Sequence, residues 1–365
     1  MRILVVNVGS TSLKLRVIGE HDRLEGSTDL PLPPDLRSSA LTGALAELGP
    51  VDAVGHRIVH GGARFTAPVL LDDQVVKDLR GLTDLAPLHQ LPALDAADAI
   101  REALPDVPAV ACFDTAFHAS LPAVASTYAI PEQWRELGAR RYGFHGLSHA
   151  WATRRAGELA FLPASDARVV TCHLGGGASL AAVSGGRCID TTMGFTPLEG
   201  LVMATRSGSV DPGLVLWLQQ RLHLAVDAVA DGLENHSGLV GLCGTADMRE
   251  ITARLDAGDA SAVLAFGVYI HRLRGGIAAM TAALGGLDAL VFSGGVGEGS
   301  PSVRASTCAG LGFLGVEVDH AANASVEADR RISPAACRVA VLVVEAREDL
   351  EIAAGVRVVL GRVQP

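Results

Sequence analysis

Ile3-Leu4-Val5-Val6-Asn7-Val8-Gly9-Ser10-Thr11-Ser12-Leu13-Lys14-Leu15-Arg16-Val17-Ile18 is the stretch on which the fold turns. An apolar run from Ile3 stops at the polar Asn7, turns at Gly9-Ser10-Thr11, and resumes from Leu13 to Ile18. Short apolar runs bounded by turn residues predict strand, tight turn and strand. The pattern recurs at Val169–Leu174, Gly175-Gly176-Gly177 and Ser179–Val183. Outward from the first unit come a helix over Ser39–Leu48, a strand over Val51–Val59, an amphipathic helix over Leu94–Leu104 and a buried strand over Ala109–Phe113. After the second come helices over Pro212–Leu222 and Ala262–Leu284, a strand over Leu287–Phe292, a strand over Val339–Val344 and a last helix over Glu348–Leu360. The repeat is visible in pattern rather than identity. It predicts an α/β chain of two similar halves with a cleft between them, since ligand sites favour domain interfaces.

Composition excludes several classes. At 365 residues the chain suits two domains, and a 49% hydrophobic fraction fills two cores. A net charge of −10 argues against a nucleic-acid partner, and 4% aromatic residues argue against stacking platforms for single strands. Mean hydropathy is positive. The first apolar run is nevertheless too short for a membrane span or signal core, and Ala262–Leu284 carries His271, Arg272 and Arg274. A buried helix explains it better than a membrane partner. Six scattered cysteines, with no CxxC and no zinc spacing, fit reduced thiols in the cytoplasm.

Glycine lets backbone N–H groups come close to an anion. Three glycine turns follow apolar strands: Gly9-Ser10-Thr11-Ser12, Gly175-Gly176-Gly177 and Gly294-Gly295-Val296-Gly297. Each alone reads more readily as a hairpin turn; three together point to phosphate. Ser10, Ser12 and Lys14 add hydroxyls and an ammonium. The P-loop string is absent, and no GxGxxG opens a helix ahead of a later acidic residue.

Arg57 lies inside an apolar strand, beside His56 and close to His60, so it is either ion-paired or functional. Arg206 sits in a loop, a setting suited to a phosphoryl transition state. Asp114 ends a buried strand, the place for a catalytic or magnesium-binding carboxylate, or for a helix N-cap. Glu348 stands at a similar junction, where it could equally charge the first turn of the last helix. His89, His145 and His173 lie near Gly or Pro and read singly as structural.

Five strings occur in order: Asn7 to Lys14, His56-Arg57-Ile58-Val59-His60-Gly61-Gly62, Asp114-Thr115-Ala116-Phe117-His118, Arg141-Tyr142-Gly143-Phe144-His145-Gly146, and Met193-Gly194-Phe195-Thr196-Pro197-Leu198-Glu199-Gly200. Together they closely resemble the acetate kinase family, of the acetate and sugar kinase, heat-shock chaperone and actin superfamily. The resemblance runs nearly the whole chain. It implies duplicated ribonuclease H-like, actin-like ATPase domains with an interdomain cleft, over residues 1–118 with 350–365 and over residues 119–349. It also implies a homodimer and Mg2+ (or Mn2+) with ATP as phosphoryl donor.

By the same resemblance Arg57 and Arg206 clamp the phosphoryl group and the acetate carboxylate, and His145 bonds the phosphoryl oxygens. Asp114 and Glu348 organise the metal with Asn7 and Ser10 near it, and His89 supports the site. Val59, Leu88, Phe144 and Pro197 form the methyl pocket. Ser10, Ser12, Lys14, His173, Gly175, Gly176, Gly177, Gly294, Gly295, Val296 and Gly297 surround the nucleotide phosphates, with Asp247, Met248 and Arg249 by the nucleoside. The implied reaction is ATP and acetate to ADP and acetyl phosphate, by direct in-line attack. Propionate or butyrate kinase, a nucleotide-gated member without acyl transfer, and a sugar kinase are the alternatives. Three departures flank the nucleotide and metal: Gly176 in place of Asn, Glu298-Gly299 in place of Glu-Asn, and Ala346-Arg347 in place of Thr-Asn.

Overall fold

The structure is a computed structural model that describes all residues except 10–11, 32–38, 164 and 364–365; the side chains of 39, 87–89 and 362–363 are likewise outside the described set. Two compact units divide the chain. The first comprises Met1–Ala119, Phe144–Trp151 and Arg347–Pro365, and the second Ser120–Gly143 and Ala152–Ala346. The expected division at 118 and 350 thus differs chiefly by the segment Phe144–Trp151, which belongs with the first unit.

The strands of the first unit are β1 Ile3–Val8, β2 Ser12–Ile18, β3 Leu24–Pro31, β4 Ala53–Ile58, β5 Val69–Leu70 and β6 Ala109–Phe113. They form one sheet in the order β3-β2-β1-β4-β6-β5. β1, β2 and β3 meander antiparallel, while β1, β4 and β6 run parallel. Leu13, Leu15, Val17, Val54, Ile58, Ala111 and Phe113 bury one face with Leu94 and Ala97 of the helix Pro87–Ala103. Ile3, Val5, Ala53, Val110 and Cys112 bury the other against Ile352, Ala353 and Val356 of the helix Glu348–Val363. Alternation at period two therefore assigns every residue a face. The helix expected from Leu94 begins at Pro87 instead. Proline is tolerated at a helix's first position because its missing N–H would be unpaired there anyway.

The second unit repeats the plan with β7 Arg168–Leu174, β8 Ala178–Ser184, β9 Arg187–Thr191, β10 Ala289–Ser293, β11 Arg330–Arg331 and β12 Ala340–Val343. The order β11-β12-β10-β7-β8-β9 is that of the first sheet read from its other edge, with the same antiparallel meander and parallel centre. The duplication glimpsed in the sequence is thus complete in topology. The apolar segment 262–284 lies in the helix Ala260–Leu284, which buries Phe266, Tyr269, Leu273 and Ile277. Among the described residues no helix is long and apolar enough to cross a membrane. One expectation fails locally: Gly294–Gly297, read as a turn, lies in the short helix Gly294–Gly299 directly after β10.

Candidate active site

Register explains how the first unit assembles its charged residues. Asn7 pairs across to Lys14 of β2. Val6 lies level with His56, so Asn7 lies level with Arg57. Asn7, Lys14 and Arg57 therefore share the sheet face on which the helix Glu348–Val363 packs, and Glu348 opens that helix. Asp114 follows β6 on the same face, with its N–H bonded to Ile58 O.

Arg57 forks onto Asp114, Nε to Oδ1 at 3.0 Å and Nη2 to Oδ2 at 2.6 Å. Its Nη1 donates to Asn7 Oδ1 at 3.1 Å and lies 3.5 Å from Glu348 Oε2. Asn7 Nδ2 donates to Glu348 Oε2 at 2.9 Å. Of the two readings of Arg57, the ion-paired one is what the structure shows: its guanidinium is paired with the carboxylates of Asp114 and Glu348. Burial works against the charge on Arg57, but Asp114 and Glu348 outweigh it and hold the guanidinium more firmly protonated than usual. Burial raises the Asp114 carboxyl above its ordinary value, against the pull of Arg57.

His145 precedes the helix Gly146–Ala160 in a left-handed backbone conformation, φ 57°, that a residue with a Cβ adopts only at a cost of about 1–2 kcal/mol. Its neighbour Gly146 donates N–H to Asp114 O at 2.9 Å, tying the His145 turn to the end of β6. Val59 and Phe144 are both buried. Behind them stands a polar layer that the sequence motifs do not reveal. Gln90, fully buried, bonds both the N–H and the carbonyl of His60. Thr115 Oγ1 accepts from Gly61 N, and the His118 ring meets Phe144 O at 2.9 Å. The helix also carries Asp95, Asp98, Arg101 and Glu102, so its sequence does not single out Gln90. Ser10 and the side chains of Leu88 and His89 lie outside the described residues. Ser12 begins β2, with its carbonyl accepting from Gly9 N, and Lys14 is exposed on that strand.

In the second unit the glycine segments end neighbouring strands. His173, half-buried, is level with Ser293 across the β7–β10 pair. Gly175, Gly176 and Gly177 follow β7, and Gly294 opens the short helix after β10. A Cβ at Gly294, φ 79°, would lie 2.8 Å from Leu174 O, so glycine is required for this approach. The N–H of Gly294 donates to Glu298 Oε1, which also accepts from Ala346 N. Gly175 N–H is likewise taken, by Gly177 O. Gly295, Val296 and Gly297 continue the helix, whose dipole favours an anion at this end. At Gly176 and Gly299 a Cβ would meet nothing within 4 Å, so neither departure from Asn is sterically forced.

Asp247 caps the helix Met248–Asp256 through Arg249 N and pairs with the Arg249 guanidinium, which lowers its carboxyl to about 2. Both side chains are exposed, whereas Met248 is buried beneath the helix. Arg206 donates Nη1 to Pro197 O at 2.7 Å, and burial lowers its pKa.

The donors that could meet a metal are a carboxylamide and two carboxylates, all oxygen ligands of the kind magnesium takes. Among the described residues no cluster of three or more His, Cys, Asp or Glu could by itself hold an ion. That suits a cation held by one or two carboxylates together with substrate phosphate and water rather than by a protein cage.

A six-stranded topology used twice, with a half-buried Arg–Asp–Asn–Glu constellation on one copy and glycine-led strand ends on the other, defines the class: a duplicated ribonuclease H-like α/β fold. The profile of the acetokinase family matches residues 37–354. The chain is 43% identical to a Synechococcus protein named acetate kinase, over 97% of this chain and 98% of that one. Its fold matches an acetate kinase of Porphyromonas gingivalis with TM-score 0.88 at 33% identity, covering 98% of this chain and 99% of that one. It also matches a propionate kinase of Francisella tularensis with TM-score 0.90 at 33% identity, covering 97% and 98%. The chain belongs to the acetokinase family.

Proposed function

We propose that this protein is an acetate kinase that transfers the γ-phosphoryl group of ATP reversibly to acetate, giving acetyl phosphate and ADP. The observation that carries the reading is the fork of Arg57 on both oxygens of Asp114. With both oxygens engaged, Asp114 is poorly placed to serve as a general base, which a sugar hydroxyl would need. Acetate needs none, because it is already an anion at neutral pH and attacks phosphorus directly. The remaining task is positioning and neutralising charge, for which arginines are suited. In this reading Arg57 and Arg206 neutralise the transferring phosphoryl group, His145 donates to its oxygens, and Val59, Leu88, Phe144 and Pro197 enclose the methyl group with His89 in support.

Asn7 and Glu348, with Asp114 beside them, would hold Mg2+, which when bound offsets the charge of the phosphates. Ser10, Ser12, Lys14 and the glycines of the second unit bind the phosphates, and Asp247, Met248 and Arg249 the nucleoside. A propionate kinase is the nearest alternative. One methylene separates the acceptors by only about 1–3 kcal/mol, so some propionate turnover is expected.

The helix Pro212–Leu222 buries no residue and exposes Leu214, Leu216, Trp217 and Leu222, as the helix Ala260–Leu284 exposes Val263 and Leu264. These apolar faces support a homodimer. Six free thiols support a cytoplasmic location. Trapping acyl phosphate as hydroxamate, with acetate, propionate and butyrate against ATP, GTP and pyrophosphate, tests the whole reading. Product should be greatest with acetate and ATP; none from any pair sinks it.

A further inference from the structure

Between the end of β9 at Thr191 and the helix at Pro212 the chain has neither helix nor strand, yet it carries Pro197 and Arg206. Without a sheet ladder, this loop's conformation depends on side chains. Three of them converge on it. Tyr128 Oη donates to Glu199 Oε2 at 2.5 Å and accepts from Phe195 N at 2.9 Å. Arg141 Nη2 donates to Glu199 Oε1 at 2.8 Å, while its Nη1 reaches the carbonyls of Thr191, Thr192 and Met193 at 3.0–3.1 Å.

The backbone is cut to fit this pair. A Cβ on Gly194 would stand 1.7 Å from Glu199 Oε2 and 2.1 Å from Tyr128 Oη, so the Tyr–Glu contact fills the space where a side chain would be. Gly194 O in turn accepts from Tyr142 N. A few residues on from Gly194 in the same held loop lies Pro197, and Arg206 Nη1 donates back to its carbonyl. Hydrogen bonds to charged partners are the strong ones, able to hold an irregular segment in one geometry.

We infer that Tyr128 and Glu199 are positioning residues: through the loop they hold, they set Pro197 and, by its carbonyl, the direction of the Arg206 guanidinium. The inference rests on the acetate kinase reading for its catalytic consequence, and on geometry alone for its structural one. Tyr128→Phe removes the shared hydroxyl from both partners; Glu199→Gln keeps the shape and weakens the charge.

Two measurements on the full chain test it. In the hydroxamate assay Tyr128→Phe should lose about 10- to 100-fold in kcat/KM for acetate, the scale of a hydrogen bond to a charged group. The ratio of acetate to propionate kcat/KM should move by about threefold or more, while KM for ATP stays within about twofold; Glu199→Gln should fall between. In the second measurement, modification by phenylglyoxal is read by peptide mass spectrometry. The Arg206 rate should change several-fold in Tyr128→Phe, with the exposed Arg249 as internal standard. An inactive unmodified chain refutes the kinase reading, and the positional claim is then decided by the labelling. Unchanged Arg206 labelling overturns the inference, as does a lowered melting temperature with the acceptor ratio unmoved.

Discussion

The two units share one strand order but supply their sites by different means. In the first, the central strands and their ends carry Asn7, Arg57 and Asp114, joined by Glu348 at the start of a helix. In the second, β10 and β12 contain no ionisable residue, and β7 offers Arg168 at its start, the buried Cys172, and His173 near its end. Glycine succeeds β7 and β10, as Gly175–Gly177 and Gly294–Gly297. At the ends of the central strands one copy of the fold thus carries charged side chains and the other carries glycine. In the proposed function the first arrangement suits neutralising a phosphoryl group and the second suits close approach of the main chain to a nucleotide. Duplication kept the scaffold, and the two copies diverged at the strand ends.

The largest test of that contrast is Arg57→Ala. In the proposed site it should cost about 10³–10⁵ in turnover. It should also destabilise the first unit by about 3–5 kcal/mol, because Asp114 would be left buried and unpaired. Arg206→Ala should cost turnover on a comparable scale with little change in thermal midpoint, since its guanidinium is bonded to a backbone carbonyl rather than forked onto a buried carboxylate. Equal thermal losses in the two variants would break the comparison.

Acid should separate the units next. Burial lowers His56 to about 3 and His60 and His118 to about 4, and all three belong to the first unit. A histidine held below its ordinary value of about 6.5 is neutral when folded and takes its proton more readily when unfolded. Its stabilising contribution is therefore full above about pH 6.5 and is lost as the pH falls toward 4. Neither ring nitrogen of His56 has a hydrogen-bond partner among the described residues. His56→Phe should accordingly retain about 1–2 kcal/mol more of its neutral-pH stability at pH 5 than the unmodified chain does, read from urea midpoints. A parallel decline in both proteins would argue that His56 takes no part in the acid loss.

Smaller effects probe the glycine-bearing copy. Gly294→Ala should destabilise by about 1–3 kcal/mol, because the left-handed conformation and Leu174 O both oppose a Cβ. Gly176→Asn should fold as well as the unmodified chain, since the space is open, and should lower KM for ATP about three- to tenfold if the side chain reaches phosphate. A higher KM would mean that the open space serves the nucleotide better than an amide does.

Much of this was legible before the structure. Strand–turn–strand at 3–18 and 169–183 announced the duplication because alternating or continuous apolar runs reflect burial directly. Arg57 stood out because a charge inside an apolar strand must find a partner. Gln90, Tyr128 and Glu199 did not, because each acts through neighbours distant in sequence, and their residue types alone carry no period or spacing. The helix at Gly294–Gly299 was hidden because glycine disfavours helix by about 1 kcal/mol relative to alanine, so packing overrides the local signal there.

By itself the sequence determined that there are two α/β halves, which faces of their strands are buried, and that glycine-rich segments follow their apolar strands. Those properties are local, set by the period of a strand and the conformational freedom of a turn. Only the tertiary structure decided that Arg57 commits its guanidinium to Asp114, Asn7 and the neighbourhood of Glu348, and that the Arg206 loop is held by a tyrosine and a glutamate. Such pairings join residues far apart in the chain, and their strength depends on distance and burial, which no stretch of sequence contains.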